Sequence, residues 1–219
     1  MKKSLWMLLL AVTGAWGQQH AEGLAADKAL AKLMSGNQRY VQHRQRYPDQ
    51  SLAHRKELVS GQRPFAVILG CADSRVSPEL LFDQGLGDLF VIRVAGNLVD
   101  DAVLGSIEYA VEHLGTKLIM VLGHEKCGAV SAAVEGGTAP GHISVLMAAI
   151  QPSVQASSTQ PGDKIHNCVV ANARRAAQQV RESEPLMRDA VEKHGVKVMA
   201  ADYALDSGKV GLLDASEHK

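Results

Sequence analysis

The stretch Phe65-Ala-Val-Ile-Leu-Gly70, which runs straight into Cys71-Ala-Asp-Ser-Arg75, decides how the chain is read. Its first six residues carry no polar side chain and have the length of a strand. The lack of apolar/polar alternation marks a strand covered on both faces, as in a parallel sheet. Leu89-Phe-Val-Ile-Arg-Val94 and Lys117-Leu-Ile-Met-Val-Leu-Gly123 repeat the pattern, with a helical period over 102–114 between them.

Outward from these runs, residues 197–201 read as a fourth strand and 209–213 as a short fifth. Helices are expected over 28–41, 51–59 and 164–182. Asp27 is placed to cap the first, and Leu30, Leu33, Met34 and Tyr40 fall on or near one of its faces. Residues 151–163, rich in Ser, Gln and Pro, read as a loop. Alternating strands and helices predict an α/β fold with a mostly parallel central sheet of about four to five strands, flanked by helices and preceded by an N-terminal helical arm.

A chain of 219 residues is long enough to bury one real core. Its 23 basic and 23 acidic side chains, without long runs of either sign, speak against a nucleic-acid surface. Three Cys cannot make a disulfide framework. Residues 1–17 read as a secretory signal: Lys2 and Lys3, an apolar run over 5–12, then Ala15-Trp16-Gly17 at the cleavage position. That run is far short of the ~20 residues that cross a bilayer, so no permanent membrane anchor is expected. The expectation is an exported protein, periplasmic or alternatively secreted, with one domain over 18–219. Both Trp of the chain, Trp6 and Trp16, leave with the signal.

In sheets of this kind ligands sit beyond the carboxyl ends of the strands. Two such ends carry unusual residues, Cys71-Ala-Asp-Ser-Arg75 and Gly123-His-Glu-Lys-Cys-Gly128. A lone Cys or His there is more often packing than chemistry, but the joint placement offers two thiolates and an imidazole. His124 and Cys127, three positions apart, can turn the same way as a helix begins. The set is soft, tetrahedral and one ligand short, which favours zinc with an open fourth position. Cys168, flanked by Val169 and Val170, reads as a small buried hydrophobe. With no Cys-x-x-Cys present, a redox dithiol is the weaker reading. Asp73 and Arg75, two apart on an extended segment, can pair; the carboxylate is then kept ionised, either to orient a zinc hydroxide or to take the open position itself.

Cys71-x-Asp-x-Arg75 and His124-x-x-Cys127, in this spacing and order, resemble the motifs of the beta class of carbonic anhydrases. The likeness extends over roughly 30–213 and includes Phe90-Val-Ile-Arg-Val-Ala-Gly-Asn97 and Ser106-Ile-Glu-Tyr-Ala-Val111. It implies reversible hydration of carbon dioxide to bicarbonate and a proton, with one zinc ion per subunit. It also implies a homodimer or a dimer of dimers, with the active site at the subunit interface. By the same resemblance Cys71, His124 and Cys127 are the permanent zinc ligands, Asp73 the carboxylate that orients hydroxide or becomes a fourth ligand, and Arg75 its partner. Gln62, Phe90, Ala95, Tyr109 and Gly128 match substrate-pocket positions. The family's allosteric subtype binds a second bicarbonate beside a Trp that precedes the first Cys. Ile68 stands at that position, although Arg93 and Tyr203 resemble two other members of that second site, so the constitutively open subtype is implied. Two other functions compete: a zinc hydrolase of carbonyl sulfide or a similar molecule, and a non-catalytic zinc- or bicarbonate-binding protein. The presence of both Asp73 and Arg75 weighs against the latter.

Overall fold

The computed structural model describes residues 23–213. The expected signal at 1–17 lies outside them. In chain order the elements are α1 (Ala26–Val41), α2 (Leu52–Glu57) continued by a 3-10 turn (Leu58–Ser60), β1 (Ala66–Gly70), α3 (Pro78–Leu81), β2 (Leu89–Arg93), α4 (Asp101–Glu112) and β3 (Leu118–His124). There follow α5 (Gly128–Glu135), α6 (Ile143–Ser157), α7 (Lys164–Glu182), α8 (Leu186–Lys193), β4 (Lys197–Tyr203) and β5 (Val210–Leu213).

The five strands form one sheet in the order β2-β1-β3-β4-β5. Every pairing is parallel except the last, where β5 turns back antiparallel on β4. From β1 the chain moves outward to β2, then crosses back over β1 to lay down β3 on its other side. The connections leaving β1 and β3 therefore diverge, which opens a crevice at their carboxyl ends.

Both faces of the sheet are covered, and that is why its central strands are continuously apolar. Val67, Leu69, Ile119, Val121, Val198 and Ala200 pack against Val103 and Ile107 of α4, Ala173, Ala176 and Val180 of α7, and Met187 of α8. The alternate residues Ala66, Ile68, Leu118, Met120 and Leu122 meet Ala29 and Leu33 of α1 together with Leu81 and Phe82. A smaller cluster holds Cys71, Cys127 and Cys168 with Val130, Ala133, Met147, Ile150 and Val169, under α5, α6 and α7.

Two expectations are corrected. Residues 151–157 are helical, because α6 runs through Pro152. The backbone bond lost at proline is outweighed by a buried stripe of Met147, Ile150, Ser153 and Ser157, in which the Ser153 hydroxyl donates to Asn172 Oδ1 at 3.2 Å. Asp27 is not the cap of α1, which begins at Ala26 after an uncapped Ala25. Burial of Ala26 draws the helix two residues earlier, and Asp27 reaches Lys197 Nζ at 2.6 Å instead. Helix α7 spans the residues expected of it, and its Asp163 side chain accepts from the N–H groups of Ile165 and His166.

Candidate metal centre

The crevice between β1 and β3 brings together side chains from three places. Cys71 leaves the end of β1, His124 is the last residue of β3, and Cys127 is the N-cap of α5. His124 and Cys127 converge through a turn rather than through helical spacing. Lys126 between them has φ 52°, the left-handed region, which is costly for a side chain of that kind.

The ligand atoms of Cys71, His124 and Cys127 lie within 4.8 Å of one another, and all three residues are buried. The two sulfurs are 3.9 Å apart. Two thiolates bound tetrahedrally at a Zn–S distance of ≈ 2.3 Å stand about 3.8 Å apart, so the pair is spaced for one ion. His124 Nδ1 donates to the Glu125 carbonyl at 2.9 Å, which leaves the lone pair on Nε2. That Nε2 is buried and has no hydrogen-bond partner in the described structure. An orphaned buried nitrogen facing two thiols is unfavourable in a bare protein and is what a metal ligand requires. The residues present therefore fit a zinc ion.

Electrostatics favour the same occupant. The Cys127 S–H beside it pulls the Cys71 thiol down to about 4, against the opposing effect of burial and with further help from His124 and the Gly96 N–H. Cys127 is pushed up, first by its bond to Cys71 and then by burial, while the Ala129 and Val130 N–H groups at the start of α5 favour its thiolate. Without an ion only one of the pair ionises; a divalent cation allows both. Burial is the largest influence on His124 and opposes its protonation, but Cys71, the Glu125 carbonyl and Asp73 together outweigh it and raise the imidazole above its ordinary value in the metal-free protein.

Asp73 and Arg75 form a two-pronged pair: Nε to Oδ1 at 2.9 Å and Nη2 to Oδ2 at 2.7 Å, with the Arg75 backbone N–H also on Oδ1. These bonds hold the Asp73 carboxyl well below the usual carboxylate range. Its Oδ2 lies 3.9 Å from His124 Nε2, so an ionised oxygen stands at the rim of the ligand set without belonging to it. Arg75 also donates to the Lys126 carbonyl at 3.3 Å, linking the two strand-end loops.

The pocket positions are not all gathered around this group. Gly128 follows Cys127 as the first residue of α5. Ala95 precedes Gly96, whose N–H donates to Cys71 Sγ at 3.4 Å. Gln62 instead lines a surface recess of about 550 Å³ with Arg55, Leu58, Val59 and Leu86. The Phe90 ring packs 6.3 Å from that of Tyr109, and Tyr109 is 46% exposed. Of the residues resembling a second bicarbonate site, Arg93 is engaged by backbone carbonyls and Tyr203 is buried with its hydroxyl 3.5 Å from that of Tyr40. Sequence reasoning missed the supporting contacts of Arg93, Gly96 and Asn172. The one available signal was Asn172, a polar residue on the apolar stripe of α7.

A family model described as carbonic anhydrase matches residues 66–210. "Carbonic anhydrase 2" of Mycobacterium tuberculosis is 40% identical over 195 residues, covering 87% of this chain and 93% of the relative. Among solved structures, the beta-carbonic anhydrase CafA of Aspergillus fumigatus matches with TM-score 0.70 and 25% identity, covering 87% of this chain and 91% of the other. A tetrameric beta-carbonic anhydrase of Sordaria macrospora shares the fold with TM-score 0.70 and 23% identity over 86% of this chain and 98% of its own. Long coverage in both directions, over a fold that carries the Cys-His-Cys group at its switch point, makes the chain a member of the carbonic anhydrase family, in its beta class.

Proposed function

We propose that the chain hydrates carbon dioxide reversibly to bicarbonate and a proton, at one zinc ion per subunit held by Cys71, His124 and Cys127. The observation that carries the metal assignment is the buried, partnerless His124 Nε2 facing two sulfurs spaced for one ion. Zinc bound there supplies a Lewis acid at which water becomes a nucleophile near neutral pH. The protein's own residues do the rest. Asp73 Oδ2 would accept a hydrogen bond from the O–H of the attacking nucleophile and so orient that nucleophile's lone pair toward the substrate carbon. Arg75 keeps that carboxylate ionised and pointed. The apolar residues around Cys71 and Cys127 hold bulk water away from an uncharged substrate.

The assembly proposed is a homodimer or a dimer of dimers, supported by the tetrameric relative of the same fold. Gln62, in a surface recess that none of the three ligands lines, and the packed Phe90–Tyr109 ring pair are then pocket residues contributed across a subunit interface. Export to the periplasm and a mature domain over 18–219 complete the proposal, supported by the character of residues 1–17. No helix among the described residues is long and apolar enough to cross a membrane.

A stopped-flow assay with a pH indicator, run on carbon dioxide and on carbonyl sulfide with zinc quantified, tests the reading. Hydration of carbon dioxide in proportion to zinc content is expected. Turnover of carbonyl sulfide alone would transfer the site to a hydrolase, and zinc without either activity would make the chain a binding protein.

A further inference from the structure

Arg93 is the last residue of β2 and the register partner of Gly70, the last residue of β1. Beyond that point the two strands part. The Val94 N–H still donates to the Gly70 carbonyl at 3.1 Å, but the next acceptors of the first segment have no strand beside them. The Arg93 side chain takes their place: Nε donates to the Cys71 carbonyl at 2.9 Å and Nη2 to the Asp73 carbonyl at 2.5 Å. A guanidinium thus extends the β1–β2 ladder past the end of β2, reaching carbonyls on both sides of Ala72. Residues two apart on an extended segment face the same side. Fixing the peptides at 71 and 73 therefore fixes the sulfur of Cys71 and the carboxylate of Asp73 in a common direction, toward His124.

We propose that Arg93 is a positioning residue, which holds the metal ligand Cys71 and the carboxylate Asp73 in one frame through their backbone carbonyls. It touches neither substrate nor metal. Its planar fork suits two acceptors at once, which a lysine cannot reproduce. The assignment rests on the proposed metal centre, and its test has a readout independent of the proposed reaction.

The test compares Arg93→Ala, Arg93→Lys and, as a control for loss of an exposed guanidinium, Arg63→Ala, each loaded with zinc or with cobalt(II). Arg93→Ala should lower kcat/KM for carbon dioxide about 10- to 100-fold, with Arg93→Lys losing less because one carbonyl is still reached. The visible absorption bands of the cobalt-loaded Arg93→Ala protein should move, since the direction of the Cys71 sulfur changes. Arg63→Ala should match the unmodified protein in both respects. Unchanged cobalt bands and unchanged kcat/KM in Arg93→Ala would overturn the assignment, as would an equal loss in Arg63→Ala. Should Arg93→Ala fail to fold, the same two readouts on Arg93→Lys decide. A wild-type protein with cobalt–thiolate bands but no hydration would sink the reaction and leave the cobalt comparison to judge Arg93.

Discussion

Asn172, midway along α7, donates through Nδ2 to the Gly96 carbonyl at 2.8 Å, tying a helix to a loop 76 residues away in sequence. The same Gly96 turns its N–H toward Cys71 Sγ. Asn172→Ala leaves that carbonyl and the Ser153 hydroxyl without their buried partner. A loss of about 1–3 kcal/mol in urea unfolding is expected, together with weaker zinc binding in a chelator competition. Unaltered zinc affinity would confine Asn172 to a packing role.

Asp73→Asn keeps the three ligands and removes the charge that Arg75 holds in place. Zinc content should stay at one per chain while kcat falls about 100-fold. A rate equal to that of the unmodified protein would take Asp73 out of the reaction.

Stripping the metal should lower the melting temperature, because the bare site buries an unsatisfied nitrogen. Zinc at about 100 times its dissociation constant adds about 2.7 kcal/mol to the folded state. Recovery on adding one equivalent is the expected calorimetric result. Cys71→Ser should show a smaller shift and less bound zinc.

Asp83, which is not one of the Cys71-His124-Cys127 group, gives the fold an acid-sensitive point. It is buried, and burial opposes its ionisation, yet Arg39 Nε at 2.5 Å and the N–H groups of Arg46 and Tyr47 at 3.0 Å hold its pKa below the ordinary value. A depressed folded-state pKa contributes stability that is complete above the ordinary carboxylate range, about pH 4, and is lost as pH falls toward the lower folded value. Asp83→Asn should therefore destabilise the protein at neutral pH by about 3 kcal/mol and flatten the decline between about pH 5 and 3. Parallel stability curves for the two proteins over that range would contradict this.

Gly36→Ala should destabilise, although alanine is the better helix former by about 1 kcal/mol. A Cβ at this position of α1 would lie 1.7 Å from the Phe82 carbonyl oxygen, a backbone atom that cannot step aside. A net loss of about 2 kcal/mol is expected in equilibrium unfolding, and a gain would show that α1 moves freely over α3.

What could be read from sequence follows from the kind of signal each feature leaves. The strands β1 and β3 are covered on both faces, so Ala66–Gly70 and Leu118–His124 appear as continuous apolar runs. Cys71, His124 and Cys127 stood out because polar, ligating side chains terminate those runs. Helix α6 stayed hidden because Pro152 and small polar residues mask a stripe that becomes visible only against α7. Arg93 and Gly96 act on backbone carbonyls or through a backbone N–H, and such contacts leave no residue pattern. The surface placement of Gln62 and Tyr109 depends on neighbouring elements that no spacing encodes.

The crossing of the chain over β1 also orders its assembly. Cys71 is made 53 residues before His124, and the two meet only after β2 and α4 have been laid down between them and β3 has docked beside β1. A non-local parallel pairing of this kind is a slow step, whereas α7 closes its own local bonds quickly. A metal captured during refolding thus clocks completion of the sheet centre, and far-ultraviolet helix signal should arrive before it.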